Sequence, residues 1–339
     1  MKKALITGTA GFIGFHLAKL LLKEGFEVHG YDSINDYYNV NLKHARQNIL
    51  LKDKNFSTTK GLLEDNDKLN EVTNRFEPNV IIHLAAQAGV RYSLENPRAY
   101  VNSNIVGTFN VMELARKHNV KHLLMSSSSS VYGANTNMPF TENDKVDSQL
   151  TIYAATKKSN ESMAHSYSHL WKIPTTMFRF FTVYGPWGRP DMAYFKFVSA
   201  ILNNQPIDIY NNGEMYRDFT YVDDLVNGIK LLVDCIPRNN KISENDSLSP
   251  VAPFRVVNIG NSEKIKLIDF IDAIEESLNK KAIRNYLPMQ KGDVTETWSD
   301  TSLFQKLTNY KPKTKYKVGI NNFIKWYLDC YEEGKLLKL

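Results

Sequence analysis

The sequence predicts an α/β fold: a doubly wound parallel sheet with a smaller, mixed C-terminal substrate domain. Three observations carry that expectation. Short apolar runs alternate with helical patterns through the first half, a glycine-rich turn joins the first run to the first helix, and the regularity loosens near residue 175. At 339 residues the chain has room for about two domains of roughly 150 residues each. Apolar residues make up 42% and charged residues 23%, which excludes disordered, collagen-like and coiled-coil chains.

Residues 4–7, 27–31, 80–84 and 122–126 read as strands, most of them nearly continuous in apolar side chains, the texture of parallel strands covered on both faces. Between the first two, Ile13, Leu17, Leu20 and Leu21 recur at helical spacing and Gly25 ends the helix. Strand, helix and strand in repetition imply right-handed crossovers. Further on, a strand at 175–181 precedes a Gly/Pro-rich loop at 184–190. After it come a helix near 193–203, a strand at 207–210 and a helix near 223–234. Residues 238–253 are polar and read as an exposed loop. A strand at 256–259 and helices near 267–278, 301–307 and 319–331 close the chain. The expected division is a nucleotide-binding domain over 1–178 and a substrate domain over 179–339. Strands from about 211–235 and 255–262 are expected to return to the first sheet.

The 42 basic residues exceed the 36 acidic ones by only +6, and they are scattered. Only 311–317 (KPKTKYK) approaches the basic stripe that nucleic-acid binding would want. Two cysteines, Cys235 and Cys330, fit a reducing compartment, and no apolar run reaches the roughly 18 residues of a membrane span. The expectation is a cytoplasmic protein without nucleic-acid, membrane or metal partners.

Gly8-Thr9-Ala10-Gly11-Phe12-Ile13-Gly14 lies between the first strand and the first helix. Glycines serve here for a tight turn, for close approach of backbone N–H groups to a pyrophosphate, and for helix–strand packing. The helix N-terminus adds unpaired N–H groups and a partial positive charge. A tight turn alone would also use glycine, but the strand–turn–helix context favours a dinucleotide. Asp32 ends the second strand, where a carboxylate can accept both ribose hydroxyls and would repel a 2′-phosphate. NAD is therefore the expected cofactor rather than NADP.

Tyr153 and Lys157 are four apart, on one face of a helix. A phenol titrates near 10, and a neighbouring ammonium and the positive nicotinamide ring both favour its ionised form. Tyr153 could then take a hydroxyl proton while the carbon beneath it gives up hydride.

The GxxGxxG spacing, the Tyr153-Ala154-Ala155-Thr156-Lys157 motif and the serine run before Val131-Tyr132-Gly133 together resemble the extended short-chain dehydrogenase/reductase family, which includes nucleotide-sugar epimerases and dehydratases. The resemblance covers essentially the whole chain. It implies Ser128 as the catalytic serine, with Ser127 and Ser130 as neighbours that share the work, and Lys157 also on the nicotinamide ribose. It implies a cofactor site formed by Gly8, Gly11, Phe12, Ile13, Gly14, Asp32, Asn35, Leu63, Leu84, Ala85, Ala86, Gln87, Asn102, Tyr153 and Lys157. Asn102 is also expected to support the active-site helix. Leu62 stands where relatives commonly carry an aspartate near adenine. Dehydratases of the family carry an Asp-Glu pair in the serine segment, and decarboxylases a Glu just before Val-Tyr-Gly; here no acid occurs from Ser126 to Gly133. What remains is oxidation followed by re-reduction on the other face, an epimerisation. A homodimer is implied, through helices at 104–117 and 156–170.

A UDP-sugar is likewise implied by the resemblance. It puts Arg217 on phosphate, Gln290 and Asp293 on phosphate and ribose, and Tyr210 beside uracil. UDP-galactose 4-epimerases have an arginine at Gln290 and an asparagine at Thr182. The run from Arg179 to Ala193, with Asp36-Tyr37-Tyr38 and Ala88-Gly89-Val90-Arg91-Tyr92-Ser93, is instead similar to UDP-glucuronate 4-epimerases. Arg91 then joins the substrate set. Arg189 can pair with a C6 carboxylate and Thr182 can hydrogen-bond to it. Oxidation at C4 makes such a substrate a β-keto acid, so the expectation is that Arg189 and Thr182 hold it out of the alignment that loses CO₂. The alternatives are a UDP-glucose or UDP-N-acetylglucosamine 4-epimerase, a sugar dehydrogenase, and a catalytically silent protein on the same fold.

Overall fold

The computed structural model describes residues 1–238, 240–290 and 292–331. Asn239 of the polar loop, Lys291 beside Gln290, and the last stretch of the expected substrate domain, 332–339, lie outside the described residues.

Its strands are β1 (Lys3–Thr7), β2 (Glu27–Asp32), β3 (Phe56–Lys60), β4 (Val80–His83), β5 (His122–Ser126), β6 (Thr175–Phe180), β7 (Thr182–Tyr184), β8 (Pro206–Tyr210), β9 (Tyr216–Arg217), β10 (Phe219–Tyr221), β11 (Phe254–Ile259), β12 (Ile265–Lys266), β13 (Ile283–Leu287) and β14 (Glu296–Thr297). Its helices are α1 (Phe12–Lys23), α2 (Val40–Leu50), α3 (Asn66–Phe76), α4 (Tyr92–Glu95), α5 (Pro97–Tyr100), α6 (Thr108–Lys117), α7 (Ile152–Trp171), α8 (Ala193–Leu202), α9 (Val222–Asp234), α10 (Leu267–Leu278), α11 (Ser302–Thr308) and α12 (Tyr316–Tyr331).

Seven strands form one parallel sheet in the order β11-β6-β5-β4-β1-β2-β3. Alternation along β1 shows why it is covered on both sides. Ala4 and Ile6 pack with Leu17 and Leu21 of α1 and Leu225 and Ile229 of α9, whereas Leu5 packs with Leu69 of α3, Val111 of α6 and Ala164 of α7. The chain reverses its winding between β1 and β4, and ligands of doubly wound sheets bind at such a point, outside the carboxyl ends of the strands.

Of the two segments expected to return to this sheet, 255–262 supplies most of β11. Segment 211–235 instead sends a helix, α9, onto α1, while its strands pair elsewhere: β10 with β7, and β9 with β12 and β14. A separate core fills the remainder, where Phe219 stacks on Phe270 at 3.9 Å and Tyr194, Phe195 and Phe323 pack together. No helix among the described residues is long and apolar enough to cross a membrane.

Candidate active site

A cavity of about 490 Å³ opens at the carboxyl edge of β1, β2, β4 and β5. Its floor is the glycine turn. A Cβ on Gly14 would lie 2.1 Å from the Gly8 carbonyl oxygen, and one on Gly8, whose φ is +85°, 2.9 Å from the Ala85 amide nitrogen. Gly11 caps α1 without any side-chain hydrogen bond, so the first-turn N–H groups are left to a ligand, and Gly11, Phe12, Ile13 and Gly14 line the cavity. Asp32 accepts the amides of Ala10 at 2.9 Å and Ile34 at 2.8 Å, which fixes its carboxylate at the rim. These features fit a dinucleotide. Every residue of the expected cofactor set, from Gly8 to Lys157, lines this one cavity. Leu62 is 58% exposed at its edge, and Glu64 lines it two residues on.

Thr151 caps α7 by accepting the Ala154 amide at 3.2 Å, which starts the helix so that Tyr153 and Lys157 both face the cavity. Burial raises the Tyr153 phenol above its usual range, while a hydrogen bond from Ser128 and the positive charge of Arg189 oppose the rise. Lys157 is not among the groups that oppose the rise, so the ammonium's half of the expected lowering is corrected. The Lys157 ammonium is committed to the Ser126 carbonyl and hydroxyl, at 2.9 and 3.2 Å, and burial pulls it down to about 8.

Two more expectations change. Ser127 donates to Glu161 at 2.6 Å, and Glu161 forms a buried bidentate pair with Arg179, both bonds 2.9 Å. Its proton is thus spent on an anchor for the serine segment. The asparagine that supports α7 is Asn104: it exchanges hydrogen bonds with the Gln87 backbone at 2.8 and 3.1 Å and donates to Thr156 at 3.1 Å. Asn102 is exposed and only lines the cavity. Both lie on a π-helical turn, Val101–Gly107, with Asn104 on its buried face.

Arg189 lines the same cavity as Tyr153. Its guanidinium already has one carboxylate partner, Asp191, through Nε at 3.0 Å and through Nη2. A second cavity, about 390 Å³, receives Thr182, Arg217 and Asp293. Segments 126–130 and 180–183 each contribute to both, so the two cavities adjoin, with Arg189 lining the first and Thr182 the second. Arg217 gives its N–H groups to the carbonyls of Tyr216, Val294 and Thr295. Arg91 pairs with Asp293 at 3.1 Å and lies 4.7 Å over the Tyr210 ring. Gln290 lines neither cavity; its carbonyl accepts the Asp293 amide at 3.3 Å.

Sequence reasoning missed Arg46. Fully buried on α2, it donates to Ala10 O at 2.8 Å, Tyr38 Oη at 2.7 Å, Trp187 O at 2.6 Å and Gly188 O at 3.1 Å. It ties the glycine turn to the loop that carries Arg189. Lys43, one turn earlier, also lines the cavity and holds Asn35 O at 2.6 Å. The signal was there: Leu42, Ala45 and Leu50 mark the buried face of α2, and Arg46 falls on it.

The model for GDP-mannose 4,6 dehydratase matches residues 5–323. The chain is 54% identical over 334 residues to a protein named "Probable UDP-glucuronate 4-epimerase" from Rhizobium meliloti (strain 1021), covering 97% of this chain and 98% of that one. It is 42% identical to UDP-glucuronate 4-epimerase 4 of Arabidopsis thaliana, covering 98% of this chain and 76% of the plant protein. Among solved structures, the UDP-glucuronic acid 4-epimerase of Bacillus cereus, in complex with UDP-glucuronic acid and NAD, superimposes with a TM-score of 0.87 at 30% identity, over 97% of this chain and all of that one. By sequence over nearly its full length, and by fold, the chain belongs to the GDP-mannose 4,6-dehydratase family of extended short-chain dehydrogenases/reductases.

Proposed function

We propose that the protein is an NAD-dependent 4-epimerase interconverting UDP-glucuronate and UDP-galacturonate. One observation carries the reading: a carboxylate-binding cation, Arg189, stands in the dinucleotide cavity close enough for its charge to act on the Tyr153 phenol. The relatives named for this activity support the same choice.

Bound NAD would accept the hydride from C4 of the sugar and return it to the opposite face. Tyr153 takes the C4 hydroxyl proton and gives it back, and Ser128 steadies the same oxygen while hydrogen-bonding the phenol. Lys157 keeps a positive charge at the base of α7 without donating to the phenol itself. Arg189 and, from the adjoining cavity, Thr182 would grip the C6 carboxylate, and Arg91, Tyr210, Arg217, Gln290 and Asp293 would hold the uridine diphosphate. The test is direct: purified protein with NAD is given UDP-glucuronate, UDP-glucose or UDP-N-acetylglucosamine. Formation of UDP-galacturonate without net NADH supports the proposal. Turnover of a neutral sugar alone, or stoichiometric NADH, defeats it.

A homodimer belongs to the same reading. Val106, Phe109, Leu170 and Trp171 are between 42% and 63% exposed on α6, α7 and the turn before α6, an apolar face that a second copy would cover. The cytoplasm suits an enzyme whose Cys235 and Cys330 are thiols. Supply of galacturonate to a surface polysaccharide would be its purpose.

A further inference from the structure

We propose that Asp191, backed by Tyr37, is a positioning residue that sets the plane of Arg189 and so decides whether the bound sugar acid keeps its carboxyl group. The inference rests on the reading of the site as one for a UDP-hexuronate.

A guanidinium carries five N–H donors in a rigid fork. Asp191 takes the Nε–H and one Nη2–H, which is the side-on edge. Asp191 thus occupies one edge only, Tyr37 takes a further hydrogen bond from the same guanidinium, and the group still faces the cavity that Arg189 lines. Asp191 does not line that cavity; it grips Arg189 from behind. Tyr37 Oη donates to Asp191 Oδ2 at 3.2 Å, and its ring packs 4.9 Å from Tyr92. A Cβ on Gly89 would fall 2.4 Å from that hydroxyl, so the phenol sits against bare backbone. Burial pushes the Asp191 carboxyl up, but Arg189 and Tyr37 together bring it below its ordinary value, so it stays an anion. The Asp36-Tyr37-Tyr38 segment thus reaches the 187–191 loop twice, through Tyr37 to Asp191 and through Tyr38 to Arg46.

The orientation matters because the 4-keto sugar acid can lose CO₂. The C5–C6 bond breaks, its electron pair passes into the C4 carbonyl as an enolate, CO₂ leaves, and a proton from water closes C5. The hydride from C4 stays with the NAD of the proposed reaction. This bond breaks when it stands perpendicular to the carbonyl plane, and a fixed guanidinium edge holds the carboxylate away from that angle.

The experiment measures how turnovers of UDP-glucuronate divide between UDP-galacturonate and CO₂ with a UDP-4-ketopentose and NADH. Asp191→Asn should raise the CO₂ share roughly tenfold or more while leaving NAD affinity unchanged. Tyr37→Phe should move it the same way by a smaller factor, and it decides the matter should Asp191→Asn fail to fold. Adding Asp191→Asn to Arg189→Ala should change the division no further, because the route runs through Arg189. An unchanged division in the single variants, or an added effect in the Arg189→Ala background, overturns the proposal. A wild-type enzyme that turns over no UDP-glucuronate overturns the functional reading itself, before any variant is made.

Discussion

Lys157 donates its ammonium to the Ser126 carbonyl oxygen at 2.9 Å, with only 3% of the side chain exposed. Burial lowers it from 10.5 to about 8. Below pH 8 both folded and unfolded chains carry the proton, and the folded state bears the full cost of burying it. Between 8 and 10.5 the unfolded chain keeps the proton that the folded one has lost, so stability rises with pH across this window. Lys157→Met removes the effect. The wild-type minus variant difference in unfolding free energy, followed by urea denaturation, should climb by roughly 3 kcal/mol across those pH values. Activity of the variant should fall by about a hundredfold or more.

Ser128 is one of the two groups that hold the Tyr153 phenol down against burial. The phenol must lose its proton to act as base, so activity rises as pH rises through its titration. Ser128→Ala should therefore move the rising limb of the pH–kcat profile to higher pH, and Tyr153→Phe should abolish the limb with the activity. A limb that stays in place in Ser128→Ala would show that the hydroxyl serves the substrate alone.

Arg46 leaves four acceptors stranded if it is removed, on the glycine turn, on Tyr38 and on the loop that carries Arg189. Arg46→Met should cost about 3 kcal/mol in denaturant titration. It should also raise KM for NAD and for the sugar nucleotide together. Lysine, a single point donor, cannot span both loops and should rescue little.

Gly14→Ala places a methyl group 2.1 Å from the Gly8 carbonyl, and neither atom can yield without opening the contact between α1 and β1. Loss of NAD binding, read by fluorescence or calorimetric titration, should exceed about tenfold, with a lowered Tm.

The oligomer proposal is checked by Phe109→Glu, which puts a charge in the middle of the apolar face of α6. Sedimentation should then give a single-chain mass where the wild type gives twice that.

Short-range spacing made part of this legible in the sequence. Tyr153 and Lys157 share a helix face, the glycines share a turn, and β1, β2, β4 and β5 are short runs whose apolar side chains are buried. Strand β3 escaped because FSTTK is polar: it lies at the sheet edge and pairs on one side only. The support of α7 falls to Asn104 rather than Asn102 because residues two apart lie on opposite faces of a helical turn, and spacing alone does not say which face points inward. Ser127 was misread because its partner, Glu161, is 34 residues away. Arg46 reaches across 141 residues to Trp187, and no local pattern encodes such a pairing.

The Arg179–Glu161 pair, 3% and 4% exposed, lies beneath Ser127. Counterions cannot enter there, so added salt should leave the bond-making geometry intact and weaken only the capture of the charged sugar nucleotide. Raised ionic strength then acts on encounter and not on turnover: the enzyme in brine should work at its full pace once filled.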